Sequence, residues 1–315
     1  MFSKTQTGGS TSGYLRSVDK LSCAILDADA VVIGAGSGLS TAAGFTYAGE
    51  RFERYFWDFE AKCGFHDMYS GGFYPFKSSG EYWAYWSRYI FINRYMAPPN
   101  DTYDALRRVV AGKDYFVITT NVDHCFQKAH FDKKRLFYTQ GDYGLFQCSL
   151  PCRAYTVDNE DAIRKMIAAQ GFEVVDGVMR VKYDSIKMSV SSHLIPTCPF
   201  CGRAMSMNLR ADDTFAEDDG WRAASERCSA FLNTRASKRV LFLELGVGYN
   251  TPGIIKYPFW RMTQENPAAL YACVNMSDTA VPPSIKDRCL CIRGDIADVV
   301  RHLALKSMGL APSES

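Results

Sequence analysis

The sequence predicts a doubly wound α/β fold, in which helices pack on both faces of a parallel sheet. Short apolar runs alternate with segments of helical periodicity along the chain, the pattern of repeated strand–helix–strand units. The first apolar run ends at a cluster of glycines, and 315 residues are enough to bury a large core. The predicted strands cover residues 30–33, 115–118, 135–139, 240–245, 269–274 and 289–292.

The glycine cluster is the most informative segment of the chain. Residues 31–45 read VVIGAGSGLSTAAGF, which predicts a buried strand, a tight turn and a helix N-terminus. This construction is typical of a pyrophosphate site, because glycines let the backbone approach the anion and the first free N–H groups of the helix point at it. An ordinary strand-to-helix turn of an α/β protein is the alternative.

Helical periodicity predicts the other elements. Residues 50–96 are rich in aromatic side chains and are divided by Gly71, Gly72 and Pro75, which predicts two helices joined by a loop. Most of these rings are expected in the core, and a few can line a channel for an acceptor. Further helices are predicted at residues 14–29, at 101–110 with Asp101 as N-cap, near 158–169, at 217–236 and at 295–305.

Composition excludes several classes of protein. The net charge of +2 gives no global field for nucleic acid or an anionic membrane. No apolar run approaches the roughly 20 residues that span a bilayer. Residues 1–13 are polar and lack an apolar signal core, so we expect a flexible leader on a cytoplasmic protein.

Four of the eleven cysteines have a chemically meaningful spacing. Cys148 and Cys152 form one pair and Cys198 and Cys201 a second, with knuckle-type turns around them. Four thiolates suit a tetrahedral structural Zn²⁺. His193 is an alternative ligand, although a surface position is expected for it. The other cysteines, Cys23, Cys273, Cys289 and Cys291 among them, are expected to pack as small hydrophobes.

Six dispersed motifs occur together in the order found in sirtuins, and they cover nearly the whole chain. They are Gly34-Ala35-Gly36, Thr119-Thr120-Asn121-Val122-Asp123, the paired cysteines, Gly246-Val247-Gly248, Val274-Asn275 and Gly294-Asp295. The sequence therefore resembles the sirtuin (Sir2) family. The resemblance implies a Rossmann-type domain that binds NAD as a co-substrate, a smaller zinc-binding domain and an active site between them. Leu39 stands where a dehydrogenase fingerprint has its third glycine, which agrees with this reading.

Three departures from the usual sirtuin pattern narrow the resemblance. Gln140 stands where sirtuins carry a histidine, Thr120-Asn121-Val122-Asp123 replaces the usual Gln-Asn-Ile-Asp, and Phe45–Gly49 replaces a Pro-Asp-Phe-Arg segment. This set is similar to class M, the macrodomain-linked microbial sirtuins of ADP-ribosyltransferase type. That class implies transfer of ADP-ribose to a lipoylated carrier protein related to the glycine-cleavage H protein, and a functional link to a macrodomain protein.

The resemblance also implies a division of the chain and a set of site residues. The Rossmann-type domain comprises residues 14–49, 101–145 and 238–315, with a helical module at 50–100 and a zinc-binding small domain with an insertion at 146–237. The implied catalytic residues are Asn121, Asp123 and Gln140. The nucleotide contacts fall to Gly34, Ala35, Gly36, Gly38, Leu39, Ser40, Tyr47, Thr120, Asn121, Asp123, Gln140, Gly246, Val247, Gly248, Asn275 and Asp295, although a plain helix N-cap is the alternative for Asp295.

Cleavage of the nicotinamide–ribose bond leaves positive charge on the sugar, which polar side chains can stabilise. Asn121 is expected to orient ribose hydroxyls or a water, and Asp123 to bind the nicotinamide amide and stabilise the cation. A strand-to-helix cap is the alternative for both. His124 and Cys125, which follow, are expected to pack a helix.

Gln140 determines the expected reaction class. An amide has no usable pKa near neutrality and cannot act as the base of a deacylase. We therefore expect weak deacetylation, with transfer to a protein acceptor retained and Asp123 as the candidate base. A deacylase with altered acyl preference and a non-catalytic NAD or ADP-ribose sensor are the alternatives.

Overall fold

The computed structural model describes residues 11–182, 186–249 and 252–310, with side chains from residue 13 onward. The predicted leader, residues 1–13, lies outside this part of the chain except for its last three residues, which begin the first helix. The helices are α1 (Thr11–Asp27), α2 (Ser37–Ala42), α3 (Glu50–Cys63), α4 (Met68–Gly72), α5 (Ser79–Ile90), α6 (Thr102–Val109), α7 (Cys125–Lys128), α8 (Glu160–Ala169), α9 (Asp219–Asn233), α10 (Lys256–Glu265) and α11 (Ile296–Ser307). The strands are β1 (Ala30–Ala35), β2 (Tyr115–Thr119), β3 (Leu136–Tyr138), β4 (Gly141–Cys148), β5 (Thr156–Asp158), β6 (Phe172–Val175), β7 (Val178–Val181), β8 (Met205–Leu209), β9 (Val240–Leu245), β10 (Leu270–Asn275) and β11 (Cys289–Arg293).

Six strands form a parallel sheet in the order β11-β10-β9-β1-β2-β3. Counted among themselves along the chain, these strands lie in the order 6-5-4-1-2-3, which is the Rossmann arrangement. The strand order reverses between β1 and β9. In such sheets a ligand binds outside the carboxyl ends of the strands at this reversal. The predicted fold class is confirmed, and each of the six predicted strands is present with ends within two residues of the prediction.

Alternate residues of β1 belong to two different cores. Val31, Ile33 and Ala35 join one cluster with helices α1, α6 and α11, whereas Ala30 and Val32 join another with α9 and α10. This alternation is what a strand buried on both faces requires. The sheet is therefore covered by helices on both sides.

The aromatic segment forms three helices, not the predicted two. Gly64, in the left-handed conformation, ends α3, and α4 then occupies Met68–Gly72, where a loop was expected. The reason is a cap, because Asp67 Oδ1 accepts a hydrogen bond of 2.8 Å from the Ser70 amide. Helix α5 continues into a π-helical turn, Phe91–Tyr95.

The segment that carries the four cysteines contains two small antiparallel sheets, β5-β4-β8 and β6-β7. Its apolar side chains share one hydrophobic cluster with the aromatic helices α3 and α5. Helix α9 instead packs on β2 and β3 of the large sheet. The division into domains at the residues given above stays a prediction.

Two local predictions need correction. Asp101 occupies the N-cap position of α6 as predicted, but its side chain makes no capping hydrogen bond; the Asn100 side chain accepts the Thr102 amide at 3.1 Å, and Asp101 pairs with Arg108. Of the cysteines expected to pack as core, Cys23 and Cys291 are exposed because they lie on the solvent sides of α1 and the edge strand β11. In the described parts of the chain, no helix has the length and apolar character to cross a membrane.

Candidate functional site

A cavity of about 530 Å³ opens beside the carboxyl ends of β1, β2 and β9, at the reversal of strand order. Its volume lies in the range of small-molecule sites. Of the predicted site residues it brings together Gly36, Ser40, Tyr47, Thr120, Asn121, Asp123, Gln140, Val247 and Gly248. The other predicted contacts, Gly34, Ala35, Gly38, Leu39, Gly246, Asn275 and Asp295, do not line it.

The glycine turn packs against a second turn of the protein. The amide of Gly36 donates to the Leu245 carbonyl and that of Gly38 to the Gly246 carbonyl, each at 3.0 Å. A Cβ added at Gly38 would lie 2.7 Å from Gly246 Cα. The first amides of the helix were expected to be free for a phosphate, but that of Gly38 is engaged by the Gly246 carbonyl, and the preceding Gly36 amide by the carbonyl of Leu245 at the end of β9.

Hydroxyl groups connect the candidate catalytic side chains. Asn121 Nδ2 donates to the Gly36 carbonyl at 2.9 Å and lies 3.4 Å from the Tyr103 hydroxyl. That hydroxyl is 2.9 Å from Ser40 Oγ, and Ser40 in turn donates a short hydrogen bond to Asp123 Oδ2. Tyr103 is 1% exposed, and no motif in the sequence pointed to it.

Asp123 is both a helix cap and a cavity residue. Its Oδ1 accepts the Cys125 amide at 2.9 Å, and its side chain borders the cavity with the residue 7% exposed. The carboxylate therefore makes the capping contact that was the alternative, and its catalytic role stays a prediction. Cys125 is fully buried in the core, as expected, and burial, with the Asp123 charge, raises the pKa of its thiol well above the ordinary value. A protonated buried thiol is a packing residue and a poor nucleophile.

Gln140 follows β3 and lines the cavity half-buried. Its carbonyl accepts the Arg210 amide at 3.0 Å, and within the described chain no hydrogen bond engages its side-chain amide. The imidazole of His124 is directed elsewhere, since its Nδ1 lies 2.9 Å from Asp142 Oδ2. Among the described residues that line the cavity, none is a histidine.

Several cavity residues were not predicted. They are Ser37, Phe45, Tyr69, Tyr89, Asn93, Val122, Tyr143, Leu209, Arg210 and Ala211. A second cavity of about 470 Å³ shares five residues with the first, Tyr69, Tyr89, Tyr143, Leu209 and Ala211. Met and aromatic side chains line it together with the polar residues Gln147, Ser149, Ser206, Asp212 and Thr214. The aromatic composition of residues 50–96 was the sequence signal for such a channel.

The two predicted contacts at the far end of the sheet have structural roles. Asn275 Nδ2 donates to the Val247 carbonyl at 3.2 Å and so holds the second turn. Asp295 Oδ1 accepts the Ala297 amide at 2.7 Å, which makes it the N-cap of α11. The cap alternative therefore describes Asp295.

The four cysteines meet at one point. The sulfur atoms of Cys148, Cys152, Cys198 and Cys201 lie within 4.8 Å of one another. Cys148 is 3.6 Å from Cys201, and Cys152 is 3.6 Å from Cys198. Zn–S bonds of about 2.3 Å in a tetrahedron place sulfur atoms about 3.8 Å apart. The cluster is compatible with structural zinc.

The second cysteine pair, Cys198 and Cys201, lies in a tight turn whose backbone favours the binding of a cation. Thr197 bridges to Ala204, the Gly202 amide donates to the Cys198 carbonyl at 2.9 Å, and Gly202 has φ of 70°. Hydrogen bonds from the backbone amides of Phe200 and Cys201 lower the pKa of Cys198 to about 7. The exposed His193 lies outside the cluster.

Comparisons with known proteins agree with this architecture. A curated protein of Staphylococcus aureus (strain Mu50), named "Protein ADP-ribosyltransferase", is 40% identical over 286 residues, which cover 90% of this chain and 86% of the relative. A Fusarium oxysporum f. sp. cubense protein, named "Probable bifunctional ADP-ribose hydrolase/ADP-ribosyltransferase", is 31% identical over 290 residues, 87% of this chain and 45% of that protein. This chain thus spans less than half of the fungal relative.

Similar solved structures are Sir2 proteins. One described as a complex of Sir2 with a p53 peptide and NAD⁺ has a TM-score of 0.56 at 14% identity, over 93% of this chain and 98% of that one. Sir2 bound to an acetylated peptide gives 0.54 at 14% identity, over 93% and 99%. No protein-family model matches the sequence. The chain has the sirtuin fold and belongs to the family of sirtuin-like protein ADP-ribosyltransferases.

Proposed function

We propose that this protein is an NAD-dependent protein ADP-ribosyltransferase. The observation that carries the proposal is the cavity at the reversal of strand order, which holds Asn121, Asp123 and Gln140 and no histidine among its described lining residues. The named activity of the S. aureus relative supports it. NAD is the co-substrate and a structural zinc is the metal in this proposal.

The reaction requires one bond to break and one to form at the same carbon. The C–N bond between nicotinamide and ribose breaks, and nicotinamide leaves with the bonding electrons. An acceptor nucleophile then bonds to that ribose carbon and loses a proton. The Asp123 carboxylate stabilises the positive charge that develops on the sugar, and it is the candidate base for the acceptor proton.

Asn121 orients the ribose. Its Nδ2 is fixed by the Gly36 carbonyl, and no hydrogen bond to its Oδ1 is formed from within the described chain. The Oδ1 atom is thus available to accept from a ribose hydroxyl. A rigidly held acceptor at this place favours the productive geometry without reorganisation.

Gln140 excludes the deacylase chemistry in this proposal. Its amide can hold a ribose or an acceptor by hydrogen bonds but cannot deprotonate a hydroxyl. Gln140→His is expected to raise NAD-dependent deacetylation of an acetylated peptide by about a hundredfold, with Gln140→Ala as the control that lacks both groups. Strong deacetylation by the unmodified protein would contradict the assignment.

The acceptor is a protein, and we propose a lipoylated carrier related to the glycine-cleavage H protein. The second cavity supports this proposal, because Met68, Trp86 and Met207 give it an apolar portion beside the first cavity, although polar side chains such as Gln147 and Thr214 also line it. A macrodomain protein that removes ADP-ribose is the proposed functional partner, in keeping with the paired activities in the fungal relative's name. We also propose a cytoplasmic location, in which cysteines serve as thiols and metal ligands.

A further inference from the structure

The Tyr103 hydroxyl occupies a position that packing alone does not require. The residue lies on α6, and its ring meets Phe126 edge-on with centroids 5.0 Å apart. A phenylalanine would fill the same space. What the hydroxyl adds is contact with two polar side chains, at 2.9 Å to Ser40 Oγ and 3.4 Å to Asn121 Nδ2.

The chemistry of these groups fixes one direction of donation. The Asn121 NH₂ group can only donate, so the Tyr103 oxygen accepts from it. Ser40 gives its proton to Asp123, and therefore its oxygen accepts the proton of Tyr103. Three hydrogen bonds thus follow one another in the same direction: Asn121 donates to Tyr103, Tyr103 donates to Ser40, and Ser40 donates to Asp123.

Burial keeps these hydrogen bonds intact. Tyr103 is fully enclosed, and that burial, with the charge of Asp123, raises the pKa of its phenol well above the ordinary value. The hydroxyl therefore stays protonated at neutral pH. A neutral phenol both donates and accepts, whereas a phenolate would lose the bond to Ser40.

We propose that Tyr103 is a positioning residue for the transfer reaction, an inference that rests on the proposed function: its buried hydroxyl orients the Asn121 amide and, through Ser40, the Asp123 carboxylate. Asn121 and Asp123 are two residues apart and face the same cavity. Without the hydroxyl, the Asn121 side chain keeps only its contact with the Gly36 carbonyl. Ser40 can still donate to Asp123 but loses the donor that fixes its own orientation, so the Asp123 carboxylate is held less firmly.

The test compares two Tyr→Phe variants. Tyr103→Phe removes the hydroxyl and keeps the ring. Tyr85→Phe is the matched control, because Tyr85 is also fully buried and its hydroxyl donates to the Met68 carbonyl at 2.5 Å, yet it does not line the cavity. Nicotinamide release, the NAD dissociation constant and the melting temperature are measured for both variants and for the wild type.

We expect kcat for nicotinamide release to fall about tenfold to a hundredfold in Tyr103→Phe, because small misplacement of reacting groups has effects of this size. The NAD dissociation constant should stay within about twofold, since no nucleotide contact is assigned to Tyr103. Tyr85→Phe should lower the melting temperature by a similar amount and leave kcat unchanged. Equal kcat values in the two variants would overturn the inference.

A double-mutant cycle tests the route through Ser40. The combined Ser40→Ala, Tyr103→Phe variant should lose less activity than the two single losses together predict, because both single changes disturb the route to Asp123 while only Tyr103→Phe removes the contact with Asn121. Additive losses would mean that Tyr103 does not act through Ser40 and would contradict the inference. If the wild type binds NAD but releases no nicotinamide with a lipoylated carrier present, the proposed function fails, and this positioning role fails with it.

Discussion

The contact between the two glycine turns makes a quantitative prediction for Gly246→Ala. Gly246 has φ of 64°, and a Cβ built on it would lie 2.6 Å from Gly38 Cα and 2.6 Å from the Leu39 nitrogen. These are backbone atoms of the turn that lines the cavity. They cannot move aside as a flexible side chain would, so the two turns must separate.

The expected loss of stability has two parts. A left-handed backbone costs a non-glycine residue about 1–2 kcal/mol, partly offset by about 0.4–1 kcal/mol from the less flexible unfolded chain. Overpacking against backbone adds about 1–3 kcal/mol. Gly246→Ala should therefore lower the free energy of unfolding by about 2–4 kcal/mol.

Gly112→Ala is the control that separates the two parts. Gly112 has φ of 75° and nothing within 4 Å of its added Cβ, so only the backbone cost of about 1 kcal/mol applies. Urea unfolding with an unchanged m-value gives both numbers. Calorimetry should show weaker NAD binding for Gly246→Ala alone. Equal destabilisation by the two variants, with NAD affinity retained, would refute the reasoning about the turns.

Three further outcomes follow from other parts of the structure. Removal of the metal by a chelator should lower the melting temperature and release about one zinc per chain, measured by metal analysis; no bound zinc would contradict the four-cysteine site. The side chains of Lys256 and Glu244 are fully buried, with Nζ and Oε1 2.5 Å apart. Lys256→Met should lower the free energy of unfolding in urea by about 3–5 kcal/mol, because it leaves the Glu244 charge buried without its partner. The Glu244→Gln, Lys256→Met double variant should recover part of this loss. Burial opposes ionisation of Asp142, but the hydrogen bond from His124 and the charge of Arg94 hold its pKa below the ordinary 3.8. Its contribution is therefore present above about pH 3.8 and lost as the pH falls through the lower folded-state pKa, so acid unfolding of Asp142→Asn should show a flatter pH dependence below pH 4.

Much of the sheet was predictable because its strands are continuous apolar runs that end at glycines or polar residues. Ala30–Ala35 is the clearest example, since a strand buried on both faces needs such a run. The cysteine pairs were equally predictable, because the two metal ligands of each pair lie within a few residues of each other in the sequence. The polar motif also identified Asn121 and Asp123, which both line the cavity.

The features that the sequence did not predict depend mainly on contacts between segments far apart in the chain. Tyr103 has the same helical spacing as any core aromatic, and only the fold brings its hydroxyl to Ser40, 63 residues away. Sequence also does not reveal that the carbonyls of Leu245, at the end of β9, and of Gly246, after it, engage the amides of Gly36 and Gly38. The helix α4 was missed because its Asp67 cap competes with glycines that are typical of a loop.

The most direct test of the central claim is the intact mass of a lipoylated H-like carrier protein after incubation with this protein and NAD. An acetylated protein is treated in parallel. Transfer predicts that the carrier gains the mass of one ADP-ribose unit while the acetylated protein is unchanged. Loss of the acetyl group with no mass gain on the carrier would contradict the account. It would mean that water or another group replaces the histidine that acts as the base in deacylating sirtuins.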